Sequence, residues 1–198
     1  MQLFISSASP FVAKVRMAAH HSGVAIETIA TDTGAEPADL LTANPLGKIP
    51  ALVMDDGTAL YDSAVICDWI DRQGGHRLVP QDAAGWLLTK RVEATADGIA
   101  DAAILTLYEQ RYRPEDKRHQ PWVDKQLRKA WRGMDVLEGL IASLGKEPST
   151  AHFAVAALLG WLDLRFHGQW EERYPSLSAW IAAFPESFPA YEELKPRL

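Results

Sequence analysis

The chain has 198 residues, of which 47% are apolar and 23% charged, and a formal net charge of −6. That size suits one large or two small globular units, with enough apolar side chains for a core. The acidic balance argues against nucleic acid or an anionic membrane as the main partner, and no run approaches the roughly 20 apolar residues of a membrane span.

The start, Met1-Gln2-Leu3-Phe4-Ile5-Ser6, lacks a basic segment followed by an apolar region, and reads as a strand of the fold. The single cysteine, Cys67, cannot form an internal disulfide. Together these features point to the cytoplasm.

Before about residue 80, short apolar runs alternate with helical segments. Residues 3–5, 26–29, 51–53 and 59–61 are predicted strands, with Asp56-Gly57 as a hairpin turn between the last two. Residues 10–21 place Phe11, Val15, Ala18 and Ala19 at helical spacing. Residues 39–43 form a weaker helical segment. Residues 63–72 form a stronger one, with Val65, Ile66, Trp69 and Ile70 apolar. The order β-α-β-α-β-β-α predicts a mixed sheet with helices on both faces. Gly74-Gly75 closes the third helix, and the chain to Asp82 reads as a linker.

Beyond the linker the strand signals stop. Helices are predicted over residues 83–110 and 122–143, then from Pro148-Ser149-Thr150 to Phe166, then over 176–184 and 190–194. The helix ending at Phe166 carries Val155, Leu158, Leu159, Trp161 and Leu162, a composition that predicts a central, buried position. The expected fold class is a small α/β domain, residues 1–78, followed by an all-α domain, residues 83–198.

Three segments carry chemistry. The first is Ser6-Ser7-Ala8-Ser9-Pro10-Phe11-Val12, between the first strand and the first helix. Ser9 is a good N-cap and Pro10 a good first helical residue, so the Ser9 hydroxyl is expected at the positive end of a helix, where an anion is favoured. The second is Asn44-Pro45-Leu46-Gly47-Lys48-Ile49-Pro50-Ala51. A cis Ile49–Pro50 bond would turn the Ile49 backbone groups towards a cleft, where they pair with an extended peptide. The third is Tyr61-Asp62-Ser63-Ala64, at a strand-to-helix junction. Ser63 and the following N–H groups suit a carboxylate, and Asp62 suits an ammonium group. Taken singly, each has a plain structural reading: a helix cap, a strand start, another helix cap.

In this order, the three together resemble the glutathione site of the cytosolic glutathione transferase superfamily, and the resemblance spans nearly the whole chain. It implies a thioredoxin-like first domain and a helical second domain. Ser-Pro-Phe resembles the serine-type classes, including the plant tau-like class and related bacterial forms, which implies that Ser9 activates glutathione. It also implies that Ile49 and cis-Pro50 hold the glutathione cysteine, that Asp62 and Ser63 hold the γ-glutamyl end, and that Lys48 meets the glycine carboxylate. Phe11, Tyr108, Arg111 and Tyr112 are candidates for the second-substrate site, the last three at the end of the long helix that flanks the cleft in this family. The superfamily often begins its central helix with Ser/Thr, two residues, then Asp. Here Ser149-Thr150-Ala151-His152 has His instead, so this cap is expected to be built differently.

One serine suffices for activation. Lowering a thiol pKa from about 8.5 to about 6.5 needs roughly 2.7 kcal/mol. A hydrogen bond to a charged group gives about 1.5–3 kcal/mol and a helix N-terminus about 0.3–1 kcal/mol. Position 9 is serine, and Ser9-Pro10-Phe11-Val12 contains no cysteine, which excludes dithiol chemistry there. Cys67 reads as a small core residue. His20, His21, His76, His119, His152 and His167 show no metal-ligand spacing with cysteine or acids, so no metal is expected.

The implied function is a cytoplasmic, detoxifying homodimer that conjugates reduced glutathione, a co-substrate, to a small hydrophobic electrophile. No cofactor, nucleic acid or membrane is expected. The alternatives are a glutathione-dependent peroxidase or dehalogenase, and a non-catalytic binding or scaffold protein of the same family.

Overall fold

The computed structural model describes residues 1–75 and 77–198, and His76 lies outside the described residues. The α/β part runs β1 (Gln2–Ile5), α1 (Pro10–His21), β2 (Glu27–Ala30), α2 (Ala38–Ala43), β3 (Ala51–Val53), β4 (Ala59–Leu60) and α3 (Ser63–Gln73). The helical part runs α4 (Ala83–Tyr112), α5 (Gln120–Leu140), α6 (Thr150–Phe166), α7 (Pro175–Ser187) and α8 (Tyr191–Leu194). Both parts follow the predicted order. β1 begins a residue earlier than expected, β2 is shifted by one, β3 has the expected bounds, β4 ends a residue earlier, and α4 extends past residue 110 to Tyr112.

The sheet has the order β2-β1-β3-β4. β1 is parallel to β2 and antiparallel to β3, and β4 is antiparallel to β3. Leu3 and Leu52 face α1 and α3 in one apolar cluster, while Phe4 and Ala51 face Leu40 and Ala43 of α2 in another. This is the period-2 alternation of strands buried on both faces.

The two parts share a core. The cluster under α1 and α3 continues into Phe153, Ala156 and Ala157 of α6 and Phe184, Phe188 and Tyr191 beyond it. α6 is buried at every position from Thr150 to Leu159, as its composition predicts. The junction is also hydrogen-bonded. The Asp71 carboxylate accepts from the Leu78 N–H at 2.6 Å, and the Leu78 carbonyl accepts from the Thr150 N–H at 3.0 Å. α4 and α5 pack closely because Gly133 faces Ile99. A Cβ at position 133 would lie 2.4 Å from the Ile99 side chain.

Candidate functional site

Sheet topology gathers the three sequence segments. Phe4 near the end of β1 pairs with Ala51 at the start of β3, and Leu52 pairs with Leu60 at the end of β4. The β1–α1 loop, the segment before β3 and the β4–α3 junction therefore leave the sheet at one end. Ser9, Pro50 and Asp62 lie on those three connections. An α/β sheet commonly binds ligands at such an end, where helix N-termini and loops converge.

Ser9 is the N-cap of α1, with extended backbone (φ −83°, ψ 124°) and Pro10 as the first helical residue. Its Oγ accepts from the Val12 N–H at 3.3 Å, so the hydroxyl proton remains as the donor to an anion. The loop is held by the Ser9 N–H on the Ser6 carbonyl (3.0 Å) and the Arg197 N–H on the Ser7 carbonyl (3.0 Å). The second contact brings the chain's last residues against the site loop, which the sequence did not reveal.

The Ile49–Pro50 peptide is cis. β3 begins at Ala51, so the Ile49 backbone lies outside the sheet ladder. The Asn44 amide donates to the Lys48 carbonyl at 2.8 Å and shapes this segment, and Lys48 itself is exposed. The Tyr61–Asp62 peptide is cis as well. Asp62 is exposed and caps α3, its Oδ1 accepting from the Ala64 N–H at 3.0 Å, while Ser63 is the first helical residue and is buried.

A buried ionic network ties α1 to α4. The Lys14 ammonium lies 2.6 Å from Asp97 and 3.4 Å from Glu93. The other Glu93 oxygen accepts from Lys90 at 3.1 Å and from the Thr150 hydroxyl at 3.1 Å, and Lys90 also pairs with Asp68. Burial works against the Lys14 ammonium, but attraction to Asp97 and Glu93 outweighs it and holds the group above its ordinary pKa. Burial raises Asp97, against the pull of Lys14. Glu93, Asp97 and Asp101 follow at four-residue spacing along one face of α4. Burial also raises Asp101, which feels Lys48 and then Asp62, so the last member of this row reaches the site. Sequence reading missed Lys14, Asp97 and Asp101. Their helical spacing was the available signal, but burial decides their role.

Phe11 is partly buried and packs against the helical-domain core rather than standing open. Tyr108 and Tyr112 meet edge-on at 5.3 Å, and the Arg111 guanidinium lies 5.6 Å from the Tyr112 ring centre. Both tyrosines are exposed, so the end of α4 presents an aromatic and cationic surface.

His152 builds the expected variant cap. Its Nδ1 accepts from the Ser149 N–H at 3.2 Å, and its Nε2–H donates to the Gly145 carbonyl at 2.9 Å. Accepting at Nδ1 requires the neutral ring, and burial lowers its pKa, against the Gly145 hydrogen bond that raises it. Cys67 is fully buried, and burial pushes its thiol well above the ordinary range. One expectation needs correction: His167 does have acids at ligand distance. Asp163 stands one helical turn before it, and the following turn brings Glu171 back, so ligand atoms of all three lie within 4.8 Å of one another. Among the described residues no helix is long and apolar enough to cross a membrane.

Residues 3–77 match the glutathione S-transferase N-terminal domain, and residues 120–183 match the glutathione S-transferase C-terminal domain. The chain belongs to the glutathione S-transferase family. It is 32% identical over 169 residues to the GST-like protein YibF of Escherichia coli, covering 83% of each chain. It resembles a glutathione transferase family member from Pseudomonas fluorescens with bound glutathione, at 37% identity and a TM-score of 0.91 over 100% of this chain and 99% of that one. A glutathione S-transferase from Methylobacillus flagellatus, also with glutathione bound, gives 33% identity and a TM-score of 0.90 over 99% of each chain. A shorter match, 38% identity over 92 residues, joins it to a probable glutathione S-transferase, BZ2, of maize, covering 41% of this chain and 39% of that protein.

Proposed function

We propose that this glutathione transferase conjugates reduced glutathione to a small hydrophobic electrophile, with Ser9 holding the glutathione sulfur as a thiolate. The observation that carries the reading is the Ser9 geometry. Its Oγ is occupied as an acceptor by Val12 N–H, at a helix N-terminus, on the same sheet end as cis-Pro50 and Asp62. A hydroxyl so placed donates to the thiolate, stays protonated and attacks nothing. The helix N-terminus adds its favourable potential for the anion.

The other roles follow from charge and position. The Ile49 backbone pairs with the cysteinyl part of glutathione as an added strand. Asp62 accepts from the γ-glutamyl ammonium, Ser63 and the start of α3 hold its carboxylate, and Lys48 meets the glycine carboxylate. Tyr108, Arg111 and Tyr112, with Phe11 behind them, line the electrophile side. Dimerisation belongs to the same proposal and is supported by exposed Val65 near the start of α3 and exposed Trp86 and Leu87 near the start of α4. A cytoplasmic location fits the one cysteine, kept as a buried thiol.

The test is calorimetric titration with reduced glutathione, followed by turnover of a panel of aromatic halides, epoxides, enones and peroxides. Saturable binding with conjugation of at least one electrophile is the expected result. Absence of glutathione binding would overturn the reading. Binding with turnover only of peroxides would replace the transferase assignment by a peroxidase.

A further inference from the structure

We propose that Asp163, His167 and Glu171 form a binding site for a divalent transition-metal ion of the zinc type. The site shares no residue with the glutathione site and does not depend on that reading. Asp163 and His167 occupy the last turn of α6 and its C-cap, one helical turn apart. His167 leaves the helix with φ −50° and ψ 135°, and Gly168 follows in the left-handed region at φ +78°, where a side chain is strained. That turn brings Glu171 back over the helix end. The Gly168 N–H donates to Glu171 Oε1 at 2.9 Å and the Trp170 N–H to Oε2 at 3.1 Å, which fixes the carboxylate.

The three ligand atoms are already gathered. His167 Nδ1 lies 2.7 Å from Asp163 Oδ1 and 3.1 Å from Glu171 Oε1. Ligands bonded tetrahedrally to zinc at about 2.0–2.2 Å stand about 3.3–3.6 Å apart, so outward shifts of about 0.2–0.9 Å at His167 admit an ion in place of the Nδ1 proton. The donor set selects the metal. One imidazole nitrogen with two carboxylate oxygens suits a borderline dication, whereas magnesium and calcium prefer oxygen alone. Two carboxylates also balance the ion's charge.

The surroundings point the same way. All three residues line a cavity of about 520 Å³ between α6, α7 and the chain's last residues, so an ion held by three protein ligands keeps an open position on the cavity side.

The experiment is calorimetric titration of the full chain with zinc chloride, without glutathione, alongside the visible absorption of added cobalt. One saturable ion per chain is expected, with no binding of magnesium at equal concentration. His167→Ala and Glu171→Gln, checked for native circular dichroism, are each expected to weaken zinc by about tenfold or more and to abolish the cobalt spectrum. A His20→Ala, His21→Ala double variant is expected to keep both. Zinc affinity unchanged in His167→Ala and Glu171→Gln would overturn the proposal, as would the absence of saturable zinc binding to the unaltered chain.

Discussion

Lys14→Met tests whether the buried network holds α1, and with it Ser9, against α4. Methionine keeps most of the stem volume and removes only the charge. Lys14 is 1% exposed and meets Asp97 at 2.6 Å and Glu93 at 3.4 Å. Removing one member of a buried ion pair costs about 3–5 kcal/mol. Glu93 keeps Lys90 and Thr150, and Asp97 is 24% exposed, so the lower end, about 3 kcal/mol, applies. For a chain of this size each kcal/mol moves Tm by about 2–4 °C, which gives a fall of roughly 6–12 °C. The loss also depends on pH. Asp97 already sits above its ordinary pKa because of burial, and losing Lys14 raises it further. A raised carboxyl favours the folded state when protonated, so the deficit is largest at neutral pH and shrinks as pH falls through the folded pKa towards the ordinary carboxyl value. Thermal unfolding at pH 7 and pH 5 reads both effects. A Tm fall below about 2 °C, the same at both pH values, would refute the reasoning.

Two further outcomes follow from the site and its supports. Asp62→Ala and Ser63→Ala are expected to raise KM for glutathione and leave kcat largely unchanged, because both act on the remote γ-glutamyl end; steady-state kinetics showing lower kcat at constant KM would remove that assignment. His152→Ala is expected to lose about 1–2 kcal/mol with the α6 cap. Since the folded ring's pKa is lowered by burial, the unaltered chain keeps this contribution above the ordinary histidine value and loses it as pH falls below. Chemical denaturation from pH 5 to 8 should show that acid-side loss shrink in the variant.

Much of the fold was legible because its signals are local. Ser9-Pro10 marked the start of α1, Gly74 the end of α3, and the apolar run after Thr150 a buried α6. The glutathione-site segments were legible for the same reason: each is a short motif at an element boundary, and the sheet's antiparallel pairings bring them together. What stayed hidden depends on distant partners. Lys14 reads as an exposed helical lysine until α4 covers it with Glu93 and Asp97. The Arg197 contact with the Ser7 carbonyl joins residues at opposite ends of the chain. The Asp163–His167–Glu171 group needs the turn at Gly168, which changes the spacing from helical to folded-back.

The most direct test of the central claim is the thiol pKa of bound glutathione, read from thiolate absorbance against pH in the unaltered chain and in Ser9→Ala. The hydrogen bond assigned to Ser9 is worth about 1.5–3 kcal/mol, or about 1–2 pH units. The bound thiol is expected to titrate well below its ordinary range in the unaltered chain, and to rise by about that much in the variant, with glutathione affinity nearly unchanged and turnover lower by about 10- to 100-fold. The same thiol pKa in both proteins would contradict the role given to Ser9.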